Sequence, residues 1–226
     1  MFHKYHTKYL CKKYQNQFMT ISYLISSFAA LFALINPLSA LPVFISLTEN
    51  HDAKWRNYQI RKTCMYIILI CACAYFVGSH ILGFFGISIN ALKIAGGMII
   101  SRSGFLLLNA KHKADVKGKT KKEAMEKEDI SFSPLAMPLL AGPGSISLLI
   151  NMRLEYPEPV KKVTIMLAII GVAFSIYLIF SIAPKILKYT GNAGLKSLSK
   201  IMGFLVLAIG IEMISASILT MLKSVF

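Results

Sequence analysis

Two short runs carry the residues best placed to meet a ligand: Asn36-Pro37-Leu38-Ser39-Ala40-Leu41-Pro42 and Ala141-Gly142-Pro143-Gly144-Ser145. Each sets helix breakers and a hydroxyl inside a long uncharged stretch. Proline lacks an amide hydrogen and clashes with the carbonyl four residues back, and Gly-Pro-Gly leaves the backbone free to unwind. Backbone unwound at membrane depth is tolerated only where protein or a water-filled cavity satisfies it. The half-helix that resumes points orphan amides and a partial positive charge at that cavity, an arrangement that favours an anion or a carboxylate. Ser39 and Ser145 each stand two residues past the proline, where a hydroxyl caps the helix or reaches a ligand. The alternative is an ordinary proline kink with packing serines. Two kinks at matching places favour the broken-helix reading.

Arg102 and Glu212 are the charges deepest in otherwise apolar runs, and such residues are costly enough to be candidates for function, here for coupling to a proton or other ion. Their structural alternatives are snorkelling for Arg102 and a protonated, hydrogen-bonded acid for Glu212. The four cysteines, Cys11, Cys64, Cys71 and Cys73, form neither a disulfide framework nor a metal pattern and read as small packing residues. No His-Glu-x-x-His, Gly-x-Ser-x-Gly or intramembrane aspartate pair is present, so the sequence offers no enzyme, metal site or cofactor.

The elements that must position these residues follow from composition. Apolar residues make up 55% of the 226 and charged residues 15%, against about 25% charged in ordinary globular domains. Crossing a ~30 Å hydrocarbon core takes ~20 apolar residues in a helix. Six such spans are expected, at 19–47, 63–85, 89–110, 132–152, 162–183 and 199–221. The chain is thus a single all-α polytopic membrane domain over 1–226. The first run is too long, and too basic in front, for a cleaved signal peptide. A net charge of +15 would suit nucleic acid, but the charges fall in the loops and the aromatic residues in or beside the spans, which favours lipid headgroups as the partner.

Shifted by 106 residues, the chain aligns Pro37 with Pro143, Ser39 with Ser145, Gly97 with Gly203 and Gly104 with Gly210. This implies two three-helix repeats, 19–110 and 132–221, joined by a basic connector, 111–131. An odd number of spans inverts the second copy, a construction found in secondary transporters with a site near the midplane. Spans one and four would then break near that midplane. Gly96, Gly97, Gly104, Gly203 and Gly210 allow close helix packing that shapes a cavity. In this register Arg102 and Glu212 are offset by seven residues along antiparallel helices, roughly 10 Å at 1.5 Å per residue, too far for a snug pair. Loops 48–62, 111–131 and 184–200 hold fifteen lysines and arginines against eight on the other side, which places them in the cytoplasm and both termini outside.

Three stretches, Ala33-Leu34-Ile35-Asn36-Pro37 through Thr48, Phe85-Gly86-Ile87-Ser88 with Ala91 to Gly97, and Ser133-Pro134-Leu135-Ala136-Met137-Pro138-Leu139-Leu140-Ala141-Gly142-Pro143-Gly144-Ser145-Ile146, resemble the MarC family of bacterial inner-membrane proteins. The resemblance runs from about residue 25 to 220. It implies six spans with external termini, and kinship with SnatA-type transporters of small neutral amino acids, in which the broken first and fourth helices bind substrate. On that basis Asn36, Pro37, Ser39, Gly142, Pro143, Gly144 and Ser145 carry over as substrate-binding candidates. Arg102 and Glu212 depart from the family pattern. The expected activity is secondary transport of a small neutral amino acid or similar zwitterion. The alternative is a channel or a membrane scaffold.

Overall fold

The computed structural model describes residues 2–48, 51–109 and 129–223, so most of the basic connector lies outside the described residues, as does the side chain of Cys11. All regular structure among the described residues is helical. In chain order the helices are α1 (Phe2–Ile35), α2 (Pro37–Thr48), α3 (Ala53–Phe84), α4 (Ile89–Leu108), α5 (Ser131–Leu140, wound as a π-helix), α6 (Pro143–Glu155), α7 (Pro159–Ser181) and α8 (Ala183–Lys223).

Local chemistry sets the boundaries. Asp52 caps α3 by accepting from the Trp55 amide at 2.9 Å, and Ser88 caps α4 by accepting from Ala91 at 3.1 Å. Between them Gly86, at φ +65°, makes the turn that returns the chain. Helices α2, α6 and α7 each begin on a proline, which has no amide to leave unsatisfied.

Four helices are long and apolar enough to cross a membrane: α3, α4, α7 and Ala193–Lys223 of α8. The pair Met19–Ile35 and Pro37–Thr48, bent by 42° at Asn36, is long and apolar enough to make a fifth if it crosses as one span. The expected crossing at 132–152 is not one helix. Ser133 and Met137 leave helical geometry inside α5, and Ala141 and Gly142 separate α5 from α6. The stretch 184–200, read from its lysines as a loop, is helical and is interrupted at Gly191, φ +63° and ψ 175°. Lysine is a good helix former, so a run of lysines does not oppose this conformation.

Helix α1 packs on α7 and α3 on α5; α3 on α6 and α2 on α7; α4 on α6 and α2 on α8; α1 on α6 and α2 on α5. Helices α3 and α7 meet, α4 and α8 form the most extensive contact, and α1 also touches α8. The core holds Leu31, Ile67, Ile165 and Tyr75, with Phe44 stacked on Phe180 at 4.4 Å between ring centres.

Small residues make the α4–α8 contact. A Cβ on Gly104 would stand 2.5 Å from the Leu207 amide nitrogen and 2.7 Å from the Gly203 carbonyl oxygen, and one on Gly97 would stand 2.7 Å from the Gly210 carbonyl oxygen. In lipid, apolar side chains gain little from leaving their surroundings, so close backbone approach carries helix association. Gly104→Ala should therefore lower the unfolding temperature in detergent, with an overpacking cost of about 1–3 kcal/mol. Gly83→Ala, with open space at its Cβ, should leave it unchanged or raise it slightly. Equal shifts for the two variants would sink the close-contact account.

Candidate functional site

The first break turns on Asn36, a buried residue at φ +45°, in the left-handed region where asparagine is among the few tolerated side chains. Its amide still bonds the Phe32 carbonyl at 2.9 Å, closing α1. Its Oδ1 accepts from the Ser39 amide at 3.3 Å, which caps α2. The side-chain Nδ2 is buried and has no hydrogen-bond partner, a donor left over once the helix ends are satisfied.

The second break is longer. The Ala141 amide reaches back to the Ala136 carbonyl at 2.8 Å, and Gly142, in extended backbone, bonds Leu140 at 3.0 Å. Helix α6 then starts at Pro143 with no side-chain cap from Gly142. Ser145 donates to the Gly142 carbonyl at 2.8 Å, so this buried hydroxyl steadies the turn. Gly144 is buried; a Cβ there would lie 3.2 Å from Ile100 Cγ1 and 3.7 Å from Leu34 Cδ2. The start of α6 therefore packs against Ile100 of α4 and against Leu34, two residues before the first break.

The candidates divide accordingly. Asn36, Pro37, Gly142, Gly144 and Ser145 belong to the breaks themselves, with Pro143 beside them exposed. Ser39 turns away and donates to Ser199 of α8 at 2.9 Å. Gly96 is buried against Ser147, and Gly97, Gly104, Gly203 and Gly210 make the α4–α8 crossing. Arg102 and Glu212 are exposed on the far faces of α4 and α8, without an ion pair among the described residues, and do not line the breaks.

Sequence reasoning missed a polar stripe on α6. Ser147, Asn151 and Glu155 recur every fourth residue and face α4: Ser147 lies against Gly96, Asn151 Nδ2 donates to Glu155 Oε2 at 3.4 Å, and Lys93 Nζ pairs with that same Oε2 at 3.5 Å. The four-residue spacing was the available signal. Asn151 Oδ1 remains buried without a partner.

At the opposite end, Lys62 of α3 pairs with Asp129 at 2.7 Å, Asp129 accepts from the Ser131 amide at 3.0 Å and from its hydroxyl, and Thr63 donates to the Ser131 carbonyl at 3.2 Å. Partial burial opposes the charged form of Asp129, but the hydrogen bonds from Lys62 and Ser131 outweigh it and hold its carboxyl below the usual carboxylate range. Among the described residues no cluster of His, Cys, Asp and Glu is arranged to hold a metal ion.

The sequence model of the MarC family of integral membrane proteins matches residues 21–222. The chain belongs to the MarC family. Among its relatives, a UPF0056 membrane protein of Methanocaldococcus jannaschii is 36% identical over 196 residues, covering 87% of this chain and 96% of the relative. A UPF0056 membrane protein of Buchnera aphidicola from Acyrthosiphon pisum is 37% identical over 201 residues, covering 88% and 93%. The inner membrane protein MarC of Salmonella typhimurium is 32% identical over 205 residues, covering 86% and 93%. No solved structure matches. The apolar helices of this MarC-family chain agree with relatives named as inner membrane proteins.

Glycine adopts φ +45° freely, and replacing an asparagine N-cap by glycine costs only a few tenths of a kcal/mol. Asn36→Gly should thus melt near the wild type, whereas Asn36→Val should lose roughly 1–3 kcal/mol to backbone strain; a Val variant as stable as wild type would rule out the left-handed bend. For Asp129, a lowered folded pKa means that its stabilisation is complete above the ordinary value of 3.8 and fades as pH falls through the lower folded value. The melting difference between wild type and Asp129→Asn should be constant down to about pH 4 and shrink below it. A difference unchanged at pH 3 would contradict the pairing.

Proposed function

We propose that this MarC-family protein is a secondary transporter of a small neutral amino acid or similar zwitterion, working by alternating exposure of a site between two inverted three-helix repeats. The observation that carries the reading is the approach of the two breaks through Leu34 and Gly144, the first holding the unpartnered Asn36 side-chain Nδ2 and the second a helix N-terminus without a side-chain cap. Orphan amides and a helix N-terminus suit a carboxylate. Asn36 supplies a further donor.

The exchange of partners between the halves supports the inverted repeat. Apart from α1 on α8, each inter-half contact has a counterpart in which first-half and second-half elements trade places, as in α1 on α7 and α5 on α3. The glycines behave alike: Gly97, equivalent to Gly203, meets Gly210, while Gly104, equivalent to Gly210, meets Gly203. A two-fold axis in the membrane plane generates such crossed pairs. With both termini outside, as the loop lysines and arginines suggest, α1 begins at the outer face.

The decisive measurement is uptake or exchange of labelled alanine, glycine and serine in proteoliposomes, with and without a proton gradient. Saturable flux that Asn36→Gly reduces at least tenfold, while keeping its fold, is expected. Flux without saturation would indicate a channel, and no flux a scaffold. Glu212 faces away from the breaks, so Glu212→Gln should keep whatever proton dependence the wild type has.

A further inference from the structure

The end of the bundle where α1 enters holds a group of polar atoms that the breaks do not use. Tyr75 of α3 is fully buried, and its hydroxyl has no partner. The guanidinium of Arg153, near the end of α6, lies 6.0 Å from the centre of the Tyr75 ring, and its Nε is buried and equally unpartnered. Side chains on a helix tilt toward its N-terminus, so Arg153 reaches back into the bundle. Tyr23 and Ser27 stand one turn apart on α1, and both side-chain oxygens are buried without a hydrogen-bond partner. Tyr23 packs edge-on against Tyr156, three residues beyond Arg153, at 4.9 Å between ring centres.

Three helices thus turn three hydroxyls and a guanidinium N–H into one region, and every one of those groups can donate a hydrogen bond. Buried donors left unmade cost about 1–3 kcal/mol each, more when charged. Such a set is complementary to an oxyanion. Of this set Tyr23 also lines an open cavity of about 690 Å³, together with Tyr156, Ser22, Ser26 and Lys161. Lys161 is held over the Tyr156 ring at 4.1 Å and pairs with Glu158 at 3.0 Å, so the mouth carries both signs of charge while the buried donors behind it carry only one. Glu155, also within reach of Tyr23, is engaged by Lys93 and Asn151.

We propose that Tyr23, Ser27, Tyr75 and Arg153 form a carboxylate subsite at this face, separate from the breaks, where the acid end of a small soluble solute is received; that the solute then proceeds to the breaks rests on the transport reading. Tyr23 precedes Leu34 by eleven residues, about 16 Å of helix, so one small solute does not span the two places.

The test measures binding apart from transport. Equilibrium binding of labelled alanine and labelled acetate to the purified full chain is compared among wild type, Tyr75→Phe, Arg153→Gln and Arg153→Lys, with melting temperatures checking the fold. Tyr75→Phe keeps the ring under Arg153 and removes only the hydroxyl. Wild type should bind both ligands, Tyr75→Phe and Arg153→Gln should weaken both about tenfold or more, and Arg153→Lys should weaken them less. In proteoliposomes the same two variants should raise KM more than they lower maximal flux. Binding unchanged in Tyr75→Phe and Arg153→Gln would overturn the subsite, as would labelled alanine that acetate does not displace but phosphatidylglycerol does, which would give the donors to a lipid phosphate. Acetate binding that follows this pattern in a protein showing no flux would leave the subsite standing and remove the transport reading alone.

Discussion

Lipid cannot hydrogen-bond a peptide group, so a chain that interrupts a helix at membrane depth must satisfy the freed donors and acceptors from its own resources. The two breaks meet this demand differently. The first confines the disturbance to Asn36: its amide closes α1, its Oδ1 opens α2, and Pro37 brings no amide of its own. The second spreads it over the π-wound α5, where Ser133 and Met137 are extended and the Ala141 amide reaches five residues back before α6 resumes. The first leaves a tight 42° bend, the second an irregular approach to a clean helix start. Both ends require protein packed closely against them.

That packing comes from α4. Ile100 covers Gly144, and Gly96 admits Ser147, so α4 and α6 interlock by setting a glycine of each helix against a side chain of the other. The adjoining face, at Gly97 and Gly104, lets α8 approach to backbone contact. Glycine is expensive in a helix interior, by roughly 0.5–1 kcal/mol relative to alanine. Here the expense is offset by contacts in which a Cβ would collide with a carbonyl oxygen or an amide nitrogen. The crossing also fixes depth. Pairing Gly97 with Gly210 and Gly104 with Gly203 leaves Arg102 and Glu212 seven residues out of step, which accounts for two opposite charges on neighbouring helices making no ion pair.

Proline and glycine positions were legible in the sequence because their consequences are local: a missing amide or a missing Cβ acts wherever tertiary structure puts it. The breaks, the α4–α8 contact and its register could be read this way. The π-type winding of α5 could not, since Ser131–Leu140 has the composition of an ordinary apolar helix and only the demands of the following break distort it. Arg102 and Glu212 stood out as charges, yet their direction needed one further step. On α4 the buried residues Gly96, Gly97, Ile100 and Gly104 share one side, and Arg102 projects from the other. Tyr75 and Arg153 gave no signal at all. A tyrosine in a span and an arginine near its end are ordinary membrane residues, and burial without partners is what makes these two unusual.

Helix α6 connects these features. Its start is the second break, its Ser147-Asn151-Glu155 stripe faces α4, and Ile150 and Arg153 face Gly78 and Tyr75 of α3. At thirteen residues it is short, and its far end is held to α4 by a single 3.5 Å ion pair with an exposed carboxylate, a contact of the kind worth little in water. The start of α5 is fastened more firmly, by an ion pair and three hydrogen bonds among Lys62, Asp129, Thr63 and Ser131. If the molecule moves a solute past the breaks, the weaker fastening marks the end that yields first. A shift of α6 there would disturb the Arg153 contact with Tyr75 and the helix start at Gly142 together, because the two ends are joined by about three turns of continuous helix.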